Sequence, residues 1–127
     1  MTGETFTVMP DLIGHPSPFF YYISPMKNGG YIYMMTNANS RVLYVGVTNS
    51  LKRRISEHAS GMGSRFTSMY NCSKCVYYES FSTIEQAIER EKQLKHFKRE
   101  WKNQLVNTVN PEWRDLSGDI ILDPAIL

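Results

Sequence analysis

The chain has 127 residues, of which 42% are hydrophobic and 13% aromatic. This apolar content suffices for one hydrophobic core, and the chain is too short for two ordinary domains. No run approaches the roughly 20 apolar residues that a membrane-spanning helix needs, so no membrane partner is expected. The net charge of +2 is unevenly distributed, because residues 26–114 carry +7 while residues 1–25 carry −2 and residues 115–127 carry −3. A basic body of this kind attracts polyanions, and nucleic acid is the first candidate.

Two cysteines, Cys72 and Cys75, are too few for the disulfide framework of a small secreted protein. The N-terminus also lacks the basic start and apolar stretch of a secretory signal, so we expect a cytoplasmic, reducing setting. A structural zinc site commonly takes four ligands, and this single Cys-x-x-Cys pair supplies two. The pair is therefore interpreted as two reduced thiols.

The hydrophobic pattern divides the chain into three parts. Residues 1–28 contain four prolines and no sustained period, which predicts an irregular N-terminal extension. Residues 29–117 carry regular patterns and are expected to form the folded domain. Residues 118–127 are predicted to be an acidic C-terminal tail.

The domain opens with a predicted β-hairpin. Residues 31–35 and 42–46 are rich in aromatic and β-branched side chains, and the turn-forming residues 37–40 separate them. A four-residue loop places Tyr33 directly opposite Tyr44, so both rings are expected on one face of the sheet.

A helix is predicted to follow over residues 51–60, with Leu51 and Ile55 on its buried side. Arg54 and His58 are four residues apart and flank that buried side. The helix therefore places a permanent cation and a titratable imidazole along one edge.

A third strand is predicted over residues 75–81, and a second helix follows it. Ser82 and Glu85 form an S-x-x-E capping box, and the helix is expected to run to about Phe97. A third helix is predicted over residues 100–109. Its expected buried side consists of Trp101, Leu105 and Val109.

Glu91 interrupts the apolar side of the second helix, because helical spacing places it in line with Ala87 and Leu94. An unpaired buried carboxylate costs several kcal/mol, so Glu91 needs a cation, a hydrogen-bond network or an open cleft. The simplest structural explanation is an ion pair with Arg90 or Lys95. A functional explanation is a metal ion.

The order of these elements and their motifs resembles the GIY-YIG nuclease family, in particular its small stand-alone members. The resemblance covers about residues 29–117, and Tyr31 occupies the place of the glycine in the family name. The matching segments are Tyr31-Ile32-Tyr33, Tyr44-Val45-Gly46, the helix with Arg54 and His58, Arg90-Glu91-Lys92-Gln93-Leu94-Lys95, and Asn110-Pro111-Glu112-Trp113-Arg114-Asp115-Leu116. The resemblance implies an α/β (α+β) fold, in which helices flank a three-stranded antiparallel sheet.

The same resemblance implies a metal-dependent endonuclease that hydrolyses phosphodiester bonds in DNA. Glu91 would bind the metal, Mg²⁺ or Mn²⁺, and Arg54 would hold the scissile phosphate. Tyr33, Tyr44 and His58 all remain open as the base. The DNA-binding residues expected beside them are Lys52, Arg53 and Arg65.

The resembling segments include no separate DNA-recognition module. We therefore expect low sequence specificity, with the enzyme directed by DNA structure or by a protein partner. Two other functions fit the sequence: a nucleic-acid-binding module that cleaves nothing, and a protein-interaction adaptor that uses the helix with Trp101.

Overall fold

The computed structural model describes residues 29–126, in which helices cover both faces of one antiparallel sheet. The elements are β1 (Gly30–Thr36), β2 (Leu43–Thr48), α1 (Leu51–Ala59), α2 (Arg65–Met69), β3 (Lys74–Phe81), α3 (Ile84–Lys95), α4 (Arg99–Val109) and α5 (Ser117–Leu122). The strand order is β2-β1-β3. The predicted fold class is confirmed, and the predicted extension of residues 1–28 lies outside the described residues.

Strand β1 is central, and all seven of its residues are buried. Its side chains alternate between two hydrophobic clusters, as strand geometry requires. Tyr31, Tyr33 and Met35 enter the cluster that α1 and α5 cover, which we call the first face. Ile32 and Met34 enter the cluster that α3 and α4 cover, the second face. Tyr33 and α3 therefore lie on opposite faces of the sheet.

The hairpin register differs from the predicted one by two residues. Tyr33 pairs with Gly46, not with Tyr44, because the connection is longer than the four predicted residues. The Asn37 side chain accepts hydrogen bonds of 3.0 Å from the backbone N–H groups of the two residues that precede β2, which stabilises the longer loop. A shift of two residues preserves the alternation, so Tyr33 and Tyr44 still lie on the same face.

Helix α3 begins one residue later than predicted. Its N-cap is Thr83, which has an extended backbone and accepts a hydrogen bond from the backbone N–H of Gln86. The Gln86 side chain in turn accepts one from the backbone N–H of Thr83. The capping box is therefore formed by Thr83 and Gln86, and not by Ser82 and Glu85.

The buried side of α4 also differs from the prediction. Val106 is fully buried, Leu105 is half-buried, and Trp101 and Val109 are exposed. The buried side is thus centred closer to Val106 than predicted, and Leu105 is the one predicted residue that packs against the second-face cluster. Trp101 packs edge-on against Phe97 at the surface. In the part of the chain that the structure describes, none of the helices has the length and apolar character to cross a bilayer.

The segment predicted as an acidic tail is folded over residues 118–126. Ile120 in α5 and Ile126 after it are buried in the first-face cluster. The Asp115 carboxylate fixes this segment, because its Oδ1 accepts hydrogen bonds from the backbone N–H of Cys75 at 3.1 Å and from the Ser117 hydroxyl at 2.7 Å. The tail prediction is therefore corrected: residues 118–126 form a packed segment, in which Asp119 pairs with Arg114 and Asp123 accepts a hydrogen bond from the backbone N–H of Ala125.

Candidate active site

The Tyr33 hydroxyl lies between two groups supplied by α1. It is 3.1 Å from Nε2 of His58 and 3.5 Å from Nη1 of Arg54. Tyr33 is fully buried in the middle of β1, and His58 is also buried, whereas Arg54 is half-buried. The structure therefore brings together a phenol, an imidazole and a guanidinium on the first face.

Helix α1 positions Arg54 and His58 because its own packing is fixed by Leu51 and Ile55, which are fully buried. Arg54 and His58 are one turn apart, so both extend from the same edge of the helix. The Arg54 side chain also donates from Nε to Glu57 at 3.1 Å. That contact leaves Nη1 directed at Tyr33 and holds the guanidinium at the rim of the site.

The hydrogen bonds around Tyr33 assign the tautomer of His58. Arg54 only donates, so the proton of the buried Tyr33 hydroxyl is accepted by Nε2 of His58. The neutral imidazole then carries its proton on Nδ1, which donates to the Thr67 hydroxyl oxygen at 3.0 Å. The Thr67 hydroxyl in turn donates a hydrogen bond to the carbonyl oxygen of Ser64 at 3.0 Å. The hydroxyls of Tyr33 and Thr67 and the Nδ1 proton of His58 therefore each have an acceptor.

Two glycines allow the rings of Tyr33 and His58 to lie against the backbone. A Cβ at Gly46 would overlap the Tyr33 hydroxyl, and a Cβ at Gly63 would overlap Nδ1 of His58. Such contacts are closer than real side chains tolerate, so both positions require glycine. The site is thus shaped by the backbone of β2 and by the loop before α2.

Burial sets the protonation states of the two groups. Removal from water raises the pKa of Tyr33 to about 12, and the hydrogen bond from Arg54 offsets only part of this effect. Burial, together with repulsion from Arg54, lowers the pKa of His58. Near neutral pH the pair is therefore a neutral phenol that donates to a neutral imidazole.

Tyr44 lies beside this pair without a hydrogen bond to it among the described contacts. Its ring centroid is 6.2 Å from that of Tyr33 and 6.0 Å from that of His58. On its other side it stacks on Phe66 at 5.7 Å with an interplanar angle of 26°. Tyr44 therefore connects the buried centre to the exposed residues of α2.

Glu91 lies on α3, on the second face of the sheet. Its side chain is 17% exposed, and its Oε2 is 2.8 Å from Nζ of Lys95. This ion pair with Lys95 is one of the two pairings that we expected as the structural explanation for a carboxylate on the apolar side of the helix. Among the described contacts, none joins Glu91 to Tyr33, Arg54 or His58.

The chemistry of the donors is compatible with a sparse metal site. Among residues 29–126, no three His, Cys, Asp or Glu side chains cluster closely enough to hold a metal. Mg²⁺ often binds through one or two carboxylates and keeps several waters, so a single half-buried Glu91 fits such a site. Lys95 is the cation that a metal ion would have to displace. The buried thiols of Cys72 and Cys75 are free.

The predicted DNA-binding residues lie on α1 and α2. Arg53 and Arg65 are exposed, at the start of α1 and of α2, and Lys52 is half-buried. Arg53 is 3.8 Å from Glu57, a weak exposed pair that leaves its charge accessible. Their location agrees with a role in holding a phosphate backbone, which remains a prediction.

Residues 29–104, from β1 into α4, match the family model described as the GIY-YIG catalytic domain. This chain belongs to the GIY-YIG family. The matched segment contains all five predicted catalytic residues, and the family is one of nucleases.

Relatives shorter than this chain share most of the GIY-YIG domain. A UPF0213 protein from Clostridium perfringens is 35% identical over 92 residues, which is 72% of this chain and 98% of that protein. A UPF0213 protein from Haloquadratum walsbyi is 34% identical over 80 residues, 63% of this chain and 89% of that protein. A solution NMR structure of a UPF0213 protein from Bacillus halodurans is 29% identical, with a TM-score of 0.46, over 70% of this chain and 94% of that chain.

Three positions of this GIY-YIG domain were missed by the sequence analysis: Gly63, Ser64 and Thr67. A sequence signal exists for Ser64 and Thr67, because Ser64 is the N-cap of α2 and accepts a hydrogen bond from the backbone N–H of Thr67. The spacing of Ser64 and Thr67 is that of an N-cap and its N3 residue. The helix itself was not predicted, because the five residues of α2 are too few to show a hydrophobic period.

Proposed function

We propose that this protein is a DNA endonuclease that hydrolyses phosphodiester bonds with the help of Mg²⁺ or Mn²⁺. The observation that supports the proposal best is the Tyr33 hydroxyl, held between the Nε2 acceptor of His58 and the guanidinium of Arg54. Membership in a nuclease family gives the reaction class. The basic body of the chain agrees with a polyanionic substrate.

In the proposed reaction, the Tyr33 oxygen takes a proton from the attacking water while its own proton passes to Nε2 of His58, and Arg54 stabilises the negative charge that develops on Tyr33. The new P–O bond forms as the bond to the 3′ oxygen breaks, and the departing 3′ oxygen takes a proton from solvent. Concerted transfer avoids a free phenolate, which the raised pKa of Tyr33 and the lowered pKa of His58 both disfavour. Tyr44 has no such acceptor among the described contacts, which favours Tyr33 as the base.

Arg54 has a second task in this scheme, the binding of the scissile phosphate. Its half-exposed guanidinium is permanently charged and presents several donors in one plane, which suits phosphate oxygens. Fixed positive charge beside a phosphorane-like transition state is a large contribution to phosphoryl transfer. Arg54 therefore links proton transfer at Tyr33 to substrate binding.

A bound metal ion would act as a Lewis acid on the phosphate and the departing oxygen. Glu91 is the residue that would hold it, after release of Lys95. Glu91 and the Tyr33 centre lie on opposite faces, which favours a competing function: a nucleic-acid-binding module that retains the fold and does not cleave.

Nicking of supercoiled plasmid in the presence of Mg²⁺ or Mn²⁺ distinguishes these functions. The wild-type protein is expected to nick the plasmid, and Arg54→Ala is expected to lose about a hundredfold or more of that rate. Arg114→Ala is the control, because it removes an exposed arginine outside the catalytic and DNA-binding residues named above and is expected to retain most of the rate. Nicking should also be lost in Glu91→Ala. Plasmid binding by all four proteins without nicking would instead establish the non-catalytic module.

A further inference from the structure

Helix α2 displays apolar side chains to solvent beside the candidate active site. Within it only Thr67 is buried, whereas Phe66 is 42% exposed and Met69 is 62% exposed. Tyr70, the residue that ends the helix, is 46% exposed. Single exposed apolar residues are common, but a contiguous group next to a functional site indicates a binding surface.

The exposed rings are continuous with the buried centre. Phe66 stacks on Tyr44 at 5.7 Å, and Tyr70 packs against Phe66 at 4.7 Å. Tyr44 in turn lies 6.0 Å from His58, whose Nε2 accepts the hydrogen bond of the Tyr33 hydroxyl. A row of rings therefore leads from the reacting groups to the surface.

The segment around these rings has the charge that a nucleic acid requires. From His58 to Tyr78 the sequence contains no Asp or Glu, and it contains Arg65 and Lys74. Arg65 is exposed and directly precedes Phe66. An aromatic surface with a cation beside it is the combination that single-stranded nucleic acids bind, because bases stack on the rings while phosphates pair with the cation.

We propose that Phe66 and Tyr70, here called the aromatic platform, bind an unpaired nucleobase next to the scissile phosphate. This inference rests on the proposed function and narrows its substrate to DNA with unpaired nucleotides, as in a gap or a flap. Every base has a π face, so the platform tolerates any sequence. In intact duplex the base is already stacked and paired, and its extraction costs free energy.

Binding assays without metal test the platform separately from cleavage. In EDTA, fluorescence anisotropy compares a gapped oligonucleotide with a fully paired duplex of equal length. The wild type should bind the gapped DNA more tightly. Phe66→Leu and Tyr70→Leu should each weaken that binding by about tenfold, or about 1.4 kcal/mol, because each removes a ring on which a base stacks. Both should leave duplex affinity almost unchanged.

Two further variants make the comparison specific to stacking. Phe66→Trp keeps a ring and should restore the preference for gapped DNA that Phe66→Leu loses. Trp101→Leu removes an aromatic residue of similar exposure on α4 and should change neither affinity. Arg65→Gln should reduce the slope of log affinity against log salt concentration by about one, the value for the loss of one phosphate contact. Phe66→Leu should leave that slope unchanged.

The failures can be told apart. Suppose that the wild type nicks and binds DNA. If Phe66→Leu then weakens the affinity for gapped and for paired DNA equally, or changes neither affinity, the aromatic platform is refuted and the proposed endonuclease activity is not. If the variants instead change the sedimentation of the protein alone, the exposed rings are a contact between copies and the inference also fails. Absence of any DNA binding and nicking by the wild type would refute both proposals.

Discussion

Gly46 lies directly across the hairpin from Tyr33, and the Tyr33 ring occupies the space in which any other residue would place its Cβ. The edge strand β2 thus fixes the position of the hydroxyl that contacts His58 and Arg54. The relationship explains why a glycine in the middle of a strand is tolerated here, although glycine weakens strands in general.

Substitution Gly46→Ala is expected to push Tyr33 away from His58 and to lower the free energy of unfolding by about 1–3 kcal/mol, the usual cost of overpacking. Urea denaturation measures the stability, and plasmid nicking should fall with it. Gly118→Ala is the control, because a Cβ there meets no atom within 4 Å. Equal free energies of unfolding and equal nicking rates in the two variants would contradict the close packing at Gly46.

Thr67→Val removes a hydroxyl from a buried position and keeps the side-chain shape. The Nδ1 proton of His58 then loses its acceptor, so the imidazole no longer favours the tautomer that accepts from Tyr33. We expect nicking to drop by about tenfold and stability to drop by about 1–3 kcal/mol. Nitrogen NMR of the imidazole should show the change of tautomer.

Thr67→Ser restores the hydroxyl and should recover the Nδ1-protonated tautomer. Ser68→Ala, which alters an exposed neighbour in the same helix, should leave the spectrum of His58 unchanged. A wild-type spectrum with the proton on Nε2 would overturn the assigned direction of the hydrogen bonds.

His58 should make stability depend on pH. Its folded pKa lies below the ordinary value of 6.5 because of burial and the adjacent Arg54, so between the two values the unfolded chain binds more protons. The free energy of unfolding should therefore decrease as the pH falls through about 6.5, and this contribution should level off below the folded pKa. His58→Gln should flatten this part of the curve in urea titrations. His96→Gln, at an exposed position, should not.

Lys95 should compete with a metal ion for Glu91. Lys95→Met removes a cation 2.8 Å from the carboxylate, and we expect the Mn²⁺ concentration for half-maximal nicking to fall by about two- to fivefold. Paramagnetic resonance of Mn²⁺ measures binding independently of cleavage. Lys92→Met disrupts an exposed pair on the same helix and should have no effect. Identical metal binding in both variants would argue against Glu91 as the ligand.

The folded C-terminal segment predicts a difference between adjacent isoleucines. Ile120 is buried in the first-face cluster and Ile121 is 43% exposed. Ile120→Ala is expected to cost about 2–5 kcal/mol of stability, and Ile121→Ala less than about 0.5 kcal/mol. Denaturant unfolding of the two variants checks this. If both variants lose less than about 0.5 kcal/mol of unfolding free energy, the segment behaves as an unpacked tail, as the sequence predicted.

Local patterns were sufficient to predict several elements of this fold. The three strands and the helices with Arg54 and Glu91 followed from periodicity and turn residues, because side-chain alternation and helical spacing are properties of short segments. Register was not predictable in the same way. It depended on the Asn37 side chain, which lengthened the hairpin loop and moved Tyr33 opposite Gly46.

The residue types that carry the chemistry were recognisable from local patterns: two tyrosines on one face of a hairpin, Arg54 and His58 on one helix edge, and an acid in an apolar row. Their contacts with one another depend on the folded arrangement of the elements. The tertiary structure joined Tyr33 to His58 and Thr67 through hydrogen bonds between residues distant in sequence, and it placed Glu91 on the other side of the sheet. These relationships arise from the packing of helices on opposite sheet faces, and packing across a core has no local signature in the chain.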